Sequence, residues 1–169
     1  MVSLKGFKQA LRIKKQEMQI RSMAVGMNST VDITRDLHVL FLDYDIDDIK
    51  LVEQSVRELQ EFWHLSDAEI FRTKHGFHVF LWHDVMPYGR VKMIIEYARY
   101  VDPLYKYISR YHDHKTVRVA GKYKERDILF VELLKGERRP SAEEQDLGDM
   151  KREEHKIMLK TYGGMFKEA

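Results

Sequence analysis

The chain has 169 residues, 44% of them hydrophobic and 33% charged, which is enough for one domain with a real core. It has no cysteine, which excludes disulfides, thiolate zinc sites and a thiol nucleophile. A net charge of +2 is too small to argue for a nucleic-acid partner by itself, and no apolar run approaches the length of a membrane span.

In chain order, residues 4–20 read as a basic amphipathic helix with Leu4, Phe7, Leu11 and Met18 roughly on one stripe. The opening residues lack the apolar core of a signal peptide. Val25-Gly26-Met27-Asn28 reads as an interruption, and a short extended segment is expected over 29–34. Leu37 to Tyr44 reads as a buried strand. Asp47 is a fair N-cap for a helix over 48–63, where Val52, Val56, Leu59 and Trp63 have helical spacing. Residues 68–72 and 77–82 read as two strands around Lys74-His75-Gly76, with Gly76 expected at positive φ. Pro87-Tyr88-Gly89 reads as a break before a helix over 90–101. Asp102-Pro103 opens a short helix ending near Arg110, and strands are expected over 115–120 and 127–134. After Gly136 to Pro140, residues 141–161 read as a polar helix. The fold class is α/β, a sandwich with a mostly antiparallel sheet. No internal repeat is present.

Asp43-Tyr44-Asp45 carries the first chemical signal. Residues two apart in a strand point the same way, so two carboxylates would project together from the end of a buried element. Like charges that close repel unless a cation holds them, and a divalent ion is the usual answer. The competing reading is a strand that ends at Leu42, with the aspartates in a solvated turn. His78 follows a glycine turn with Thr73 and Lys74, and turn amides, a hydroxyl, a lysine and an imidazole together make a small anion cradle. Arg118 and Lys122 share a face if their strand runs to 122, and both suit phosphate oxygens. Asp102 is either a helix cap or a third carboxylate facing the pair, with Glu132 as the other candidate. Basic clusters over 5–21 and 110–126, including Lys8, Arg12, Lys15, Arg110 and Lys115, are candidate polyanion contacts. Tyr105, Tyr107 and Tyr111 could stack on bases.

The order D-x-D (Asp43, Asp45), T-x-x-G-F-H-V (Thr73, Gly76, His78), D-P-x-Y (from Asp102) and T-V-R-V-x-G-K (Thr116 to Lys122) resembles the archaeo-eukaryotic primase superfamily, in its small viral and plasmid members. The resemblance spans roughly residues 35–125. It implies an RRM-like primase-polymerase catalytic core over residues 1–136, with 137–169 as a polar helical tail and a linker near 136–142. It implies a DNA primase/polymerase-type nucleotidyltransferase that uses Mg²⁺ or Mn²⁺ on Asp43, Asp45 and Asp102. Thr73, Lys74, Gly76, His78, Arg118 and Lys122 would bind the nucleotide. The implied partners are nucleoside triphosphates and a DNA or RNA template, without a membrane, in the cytoplasm of a bacterial, archaeal or virus-infected cell. The chain is short and lacks a zinc module, so a helicase or accessory replication protein is a further expected partner. Two other readings stay open. One is an inactive nucleic-acid-binding or assembly module of the same fold. The other is a rolling-circle replication initiator nuclease using His75 and His78 with Tyr105 or Tyr107, although that histidine spacing does not aim both rings at one metal.

Overall fold

A computed structural model of the chain describes residues 25–120 and 128–162. The basic helix expected over 4–20, with Lys8, Arg12 and Lys15, and also Lys122, lie outside the described residues. The elements are β1 (Val25–Asn28), β2 (Thr30–Asp32), β3 (Leu37–Tyr44), α1 (Ile49–Trp63), β4 (Ala68–Arg72), β5 (Phe77–Pro87), α2 (Tyr88–Tyr97), α3 (Pro103–Tyr111), β6 (Thr116–Ala120), β7 (Leu129–Leu134) and α4 (Ala142–Tyr162). The described part is therefore α+β, as expected, with antiparallel pairing throughout.

β2, β3, β5, β4 and β7 form a five-stranded sheet in that order, and β1 pairs with β6 in a separate ribbon. The ribbon contradicts the expectation of an interruption at 25–28. A Cβ at Gly26 would fall 2.3 Å from the Thr116 side-chain methyl, so glycine lets the two strands pair without moving that side chain. Ser29 joins ribbon to sheet. Its N–H donates to the Lys115 carbonyl at 2.8 Å, and its own carbonyl accepts from Val39 N–H at 2.9 Å.

The interior strand β3 is apolar on both faces because both are covered. On one face Tyr44 reaches α1, where its hydroxyl meets Ser55 Oγ at 2.9 Å. On the other, Phe41 packs with Phe80 and Trp82, and the His155 ring of α4 lies against Phe71, Phe80 and Trp82. The helix expected as a polar tail is thus docked on the sheet. Gly148 permits the close approach, since a Cβ there would fall 2.3 Å from the Trp82 carbonyl oxygen. The expected linker is pinned as well. Arg138 donates to buried Asp84 at 2.7 and 3.0 Å, to the His83 carbonyl and to Glu144.

Three local expectations are corrected. Asp48, not Asp47, caps α1 and accepts from Lys50 N–H, while Asp47 pairs with Arg72. β5 runs on to Pro87, because residues 82–84 bulge between the pairs Leu40–Leu81 and Val39–Val85. α2 therefore starts at Tyr88 rather than at residue 90 and ends at Tyr97. No helix among the described residues is long and apolar enough to cross a membrane.

Candidate functional site

A cleft of about 560 Å³ opens where the end of β3, the β4–β5 turn, α3 and β6 meet. Asp43, Asp45 and Asp102 line it, together with Thr73, Lys74, Gly76, His78, Lys115 and Arg118. Residues scattered over some seventy-five positions of the chain are thereby brought to one place.

The two aspartates sit at the strand end because alternation turns Tyr44 inward between them. Ser55 Oγ donates to the Arg99 carbonyl at 2.6 Å, so the Tyr44 hydroxyl donates to Ser55. This chain of bonds fixes the segment that delivers Asp102. Tyr100, at φ 63°, makes the sharp reversal there, a conformation that costs a non-glycine residue about 1–3 kcal/mol. Asp102 N–H then donates to the Asp43 carbonyl at 2.9 Å. Asp102 is both a helix cap and a wall of the cleft. Its Oδ1 caps α3 by accepting from Leu104 N–H at 3.1 Å. Glu132 is not in the site. It pairs with Ile70, whose neighbour Val79 aligns with Leu42, so it shares their face of the sheet and meets Glu53 of α1.

The turn is built differently from the sequence expectation. No described glycine has a positive φ. Gly76 is needed for space, because a Cβ would lie 1.8 Å from the Tyr44 carbonyl oxygen. Thr73 holds the turn: its hydroxyl accepts from Gly76 N–H at 3.1 Å, and its N–H donates to the Gly76 carbonyl at 2.9 Å. The hairpin can therefore close directly over the aspartate strand.

Burial, then Asp102, then Asp45 push the Asp43 carboxyl up to about 6, against the pull of Arg118 and Lys115. Across the ladder His78 stands opposite Asp43, with Nε2 3.8 Å from Oδ1, too far for a hydrogen bond. Burial, His155 and Arg118 hold the His78 imidazole down to about 3, so it is neutral at physiological pH. Its Nδ1 is buried without a partner. Such an atom is costly unless something completes it.

Lys115 is not the surface cation expected from sequence. It is 3% exposed, with Nζ 3.5 Å over the Tyr105 ring and donating to the Tyr105 carbonyl. Burial lowers it to about 8, opposed by Asp43 and Asp102. Arg118 and Thr116 alternate with buried Val117 and Val119, so both face the cleft side of β6. Arg110 is bonded to Glu96 at 2.5 and 3.0 Å. Tyr105 is buried and donates its hydroxyl to the Phe41 carbonyl at 2.7 Å, which removes it as a stacking or nucleophilic tyrosine.

His112 and His114 also line the cleft, and the sequence reading passed over them. Their signal was the His-Asp-His spacing just before β6. His114 Nδ1 meets Asp113 at 2.6 Å. Among the described residues no three His, Asp or Glu side chains already stand in metal-ligating geometry. The donor chemistry nonetheless fits a hard divalent cation, with three carboxylates in one cleft and one of them raised by burial and then by the other two. No protein-family model, no curated protein and no solved structure matches this chain.

Proposed function

We propose that the chain is a metal-dependent nucleotidyltransferase of the primase-polymerase type, which adds nucleotides to a template-directed nucleic-acid chain. One observation carries this reading. Asp43, Asp45 and Asp102 share a cleft with His78, the Thr73–Gly76 turn and Arg118, which is carboxylates for a cation beside donors for phosphate. The motif order along the chain supports it.

Asp43, Asp45 and Asp102 would hold the Mg²⁺ or Mn²⁺. When bound, such a cation stabilises charge on the attacking and leaving oxygens of an in-line phosphoryl displacement. The chain's own residues do the rest. His78, neutral and lining the cleft with Nε2 on the Asp43 side, would offer that ring edge to a phosphate oxygen. Lys115 and Arg118 offset triphosphate charge from the β6 side of the cleft. Thr73 and Gly76 keep the turn close to the carboxylates, so the anion and the cation are held within one cavity. Polymerisation of this kind needs positioning and charge compensation more than a proton-abstracting base.

The test is incorporation of labelled dNTPs and NTPs on primed and unprimed single-stranded templates with Mg²⁺ or Mn²⁺. Wild type is expected to incorporate. Asp43→Asn and Asp45→Asn lose incorporation. Asp102→Asn also loses it, yet melts like wild type, because asparagine caps a helix as well as aspartate does. Wild type that incorporates nothing on any template overturns the proposal, as does Asp43→Asn at the wild-type rate. Template binding without turnover would make the chain an inactive module of this fold.

A further inference from the structure

The helix beside the carboxylates is built with its apolar pattern turned outward. Within α3 the buried side chains are Tyr105 and Ser109, and the opposite stripe is apolar and open. Leu104 is 62% exposed, Tyr107 55%, Ile108 40% and Tyr111 71%. Their spacing of three, one and three residues places them on a single face of a nine-residue helix. A stripe of this size on a short helix marks a surface that something covers.

Position and charge say what covers it. Leu104 and Ile108 are themselves walls of the cleft, so the stripe runs into the carboxylate site without a break. Tyr107 and Tyr111 lie one turn apart, with ring centroids 5.0 Å apart and planes tilted by 55°. At the cleft end the stripe meets Lys74, Lys115 and Arg118. Along α3 itself the cations are engaged. Arg110 is bonded to Glu96, and Lys106 donates to the Glu96 and Ala98 carbonyls at the end of α2. A helix made for a membrane surface keeps its lysines and arginines on the polar face for anionic headgroups. Here the stripe is neutral and aromatic, and the cations Lys74, Lys115 and Arg118 stand at its cleft end beside the three carboxylates. Flat aromatic faces leading to cations match a ligand with flat bases and a phosphate backbone.

We infer that the exposed face of α3 is a stacking platform for single-stranded nucleic acid, with Tyr107 and Tyr111 receiving bases as the strand passes into the cleft. This rests on the nucleotidyltransferase reading for its direction, but not for its measurement. Base–aromatic stacking is indifferent to sequence, because every base has a π-face, so the platform would feed any template. It also assigns different parts to three neighbouring tyrosines. Tyr105 is structural, while Tyr107 and Tyr111 contact the ligand.

The experiment is fluorescence anisotropy with labelled oligo(dT) and oligo(U) of about twelve nucleotides, in EDTA and without nucleotide, over a range of salt. Tyr107→Ala and Tyr111→Ala are each expected to weaken binding about tenfold, equivalent to about 1.4 kcal/mol. Tyr107→Phe and Tyr111→Phe stay within about twofold of wild type, because the ring faces remain. The slope of log Kd against log salt is unchanged in the alanine variants and falls by about one in Arg118→Gln, because only the arginine displaces counterions. Alanine variants that bind like wild type, or that flatten the salt slope, overturn the platform. So does a molar mass that rises with concentration in wild type and not in the double alanine variant, which would make the stripe a contact between copies. Co-sedimentation with anionic vesicles that the alanines abolish, without oligonucleotide binding, overturns it too. The two readings fail separately. Unimpaired oligonucleotide binding by the alanine variants of a chain that incorporates nucleotides removes the platform alone. Tyrosine-dependent binding by a chain that incorporates nothing removes the polymerase alone.

Discussion

Replacing Asp43 by asparagine should stabilise the protein while removing the proposed nucleotidyl transfer, and the size of the gain follows from the site. The carboxyl is displaced from an ordinary 3.8 to about 6 by burial and by two neighbouring carboxylates. A displacement of about two pH units corresponds to ~3 kcal/mol at ~1.4 kcal/mol per unit. The side chain is 35% exposed, so solvent screening cuts this to on the order of 1–2 kcal/mol. The folded state holds the proton more tightly than the unfolded chain does. The stabilisation is therefore complete below the unfolded value near 4 and is lost as pH rises through about 6. Asparagine stays neutral and keeps it. In EDTA, Asp43→Asn should melt at nearly the wild-type temperature at pH 3.5 and about 2–8 °C higher at pH 7.5. Millimolar Mn²⁺ should then raise the wild type and not the variant, closing the gap. A variant less stable than wild type at pH 7.5, or a gain that does not change with pH, would refute the claim that burial and two neighbouring carboxylates strain the Asp43 carboxylate in this cleft.

Other perturbations test the frame around it. Gly76→Ala drives a Cβ into the Tyr44 carbonyl and should cost about 1–3 kcal/mol in urea unfolding, whereas Thr73→Ser should be near neutral and Thr73→Val should lose about 1 kcal/mol. Arg138→Met leaves Asp84 buried without its cation and should cost about 3–5 kcal/mol, with much of it recovered in the Arg138→Met/Asp84→Asn double variant. His155, lowered to about 4 by burial, takes up a proton in the unfolded chain first, so stability falls as pH drops from about 6.5 toward 4. His155→Phe should keep the tilted ring contacts with Phe80 and Trp82 and gain about 2 kcal/mol at pH 5 relative to its effect at pH 8, read from denaturant midpoints at the two pH values.

What the sequence shows and what it hides divide along locality. β3, α1 and the β4–β5 hairpin are legible because period-two and helical patterns are written in consecutive residues. β1 is not, because Gly26 and Asn28 look like punctuation and the strand exists only by pairing with β6, ninety residues on. The requirement for Gly76 is legible, but its cause is a carbonyl thirty-two positions earlier. From sequence β5 reads as ending at Trp82 because Asp84 is unfavourable in a buried strand, and the cation that makes it compatible comes from Arg138. Lys115 looks like a surface charge until the Tyr105 ring closes over it. The cleft's carboxylates, His78 and Arg118 stand out as residue types in an unusual order. His112 and His114 sit in a connection with no regular pattern, so nothing marks their direction.

The hydrogen bond from Asp102 N–H to the Asp43 carbonyl belongs to the backbone, and so does the 102–43 alignment it creates. The carboxylates hang from this joint without holding it shut. Chemistry and architecture are thus written in separate parts of the same residues. A lineage could trade every acid in the cleft for an amide and inherit an unchanged outline, with α3 still in place. For chains of this build, shape is a poor witness to turnover, and the identity of three side chains is a better one.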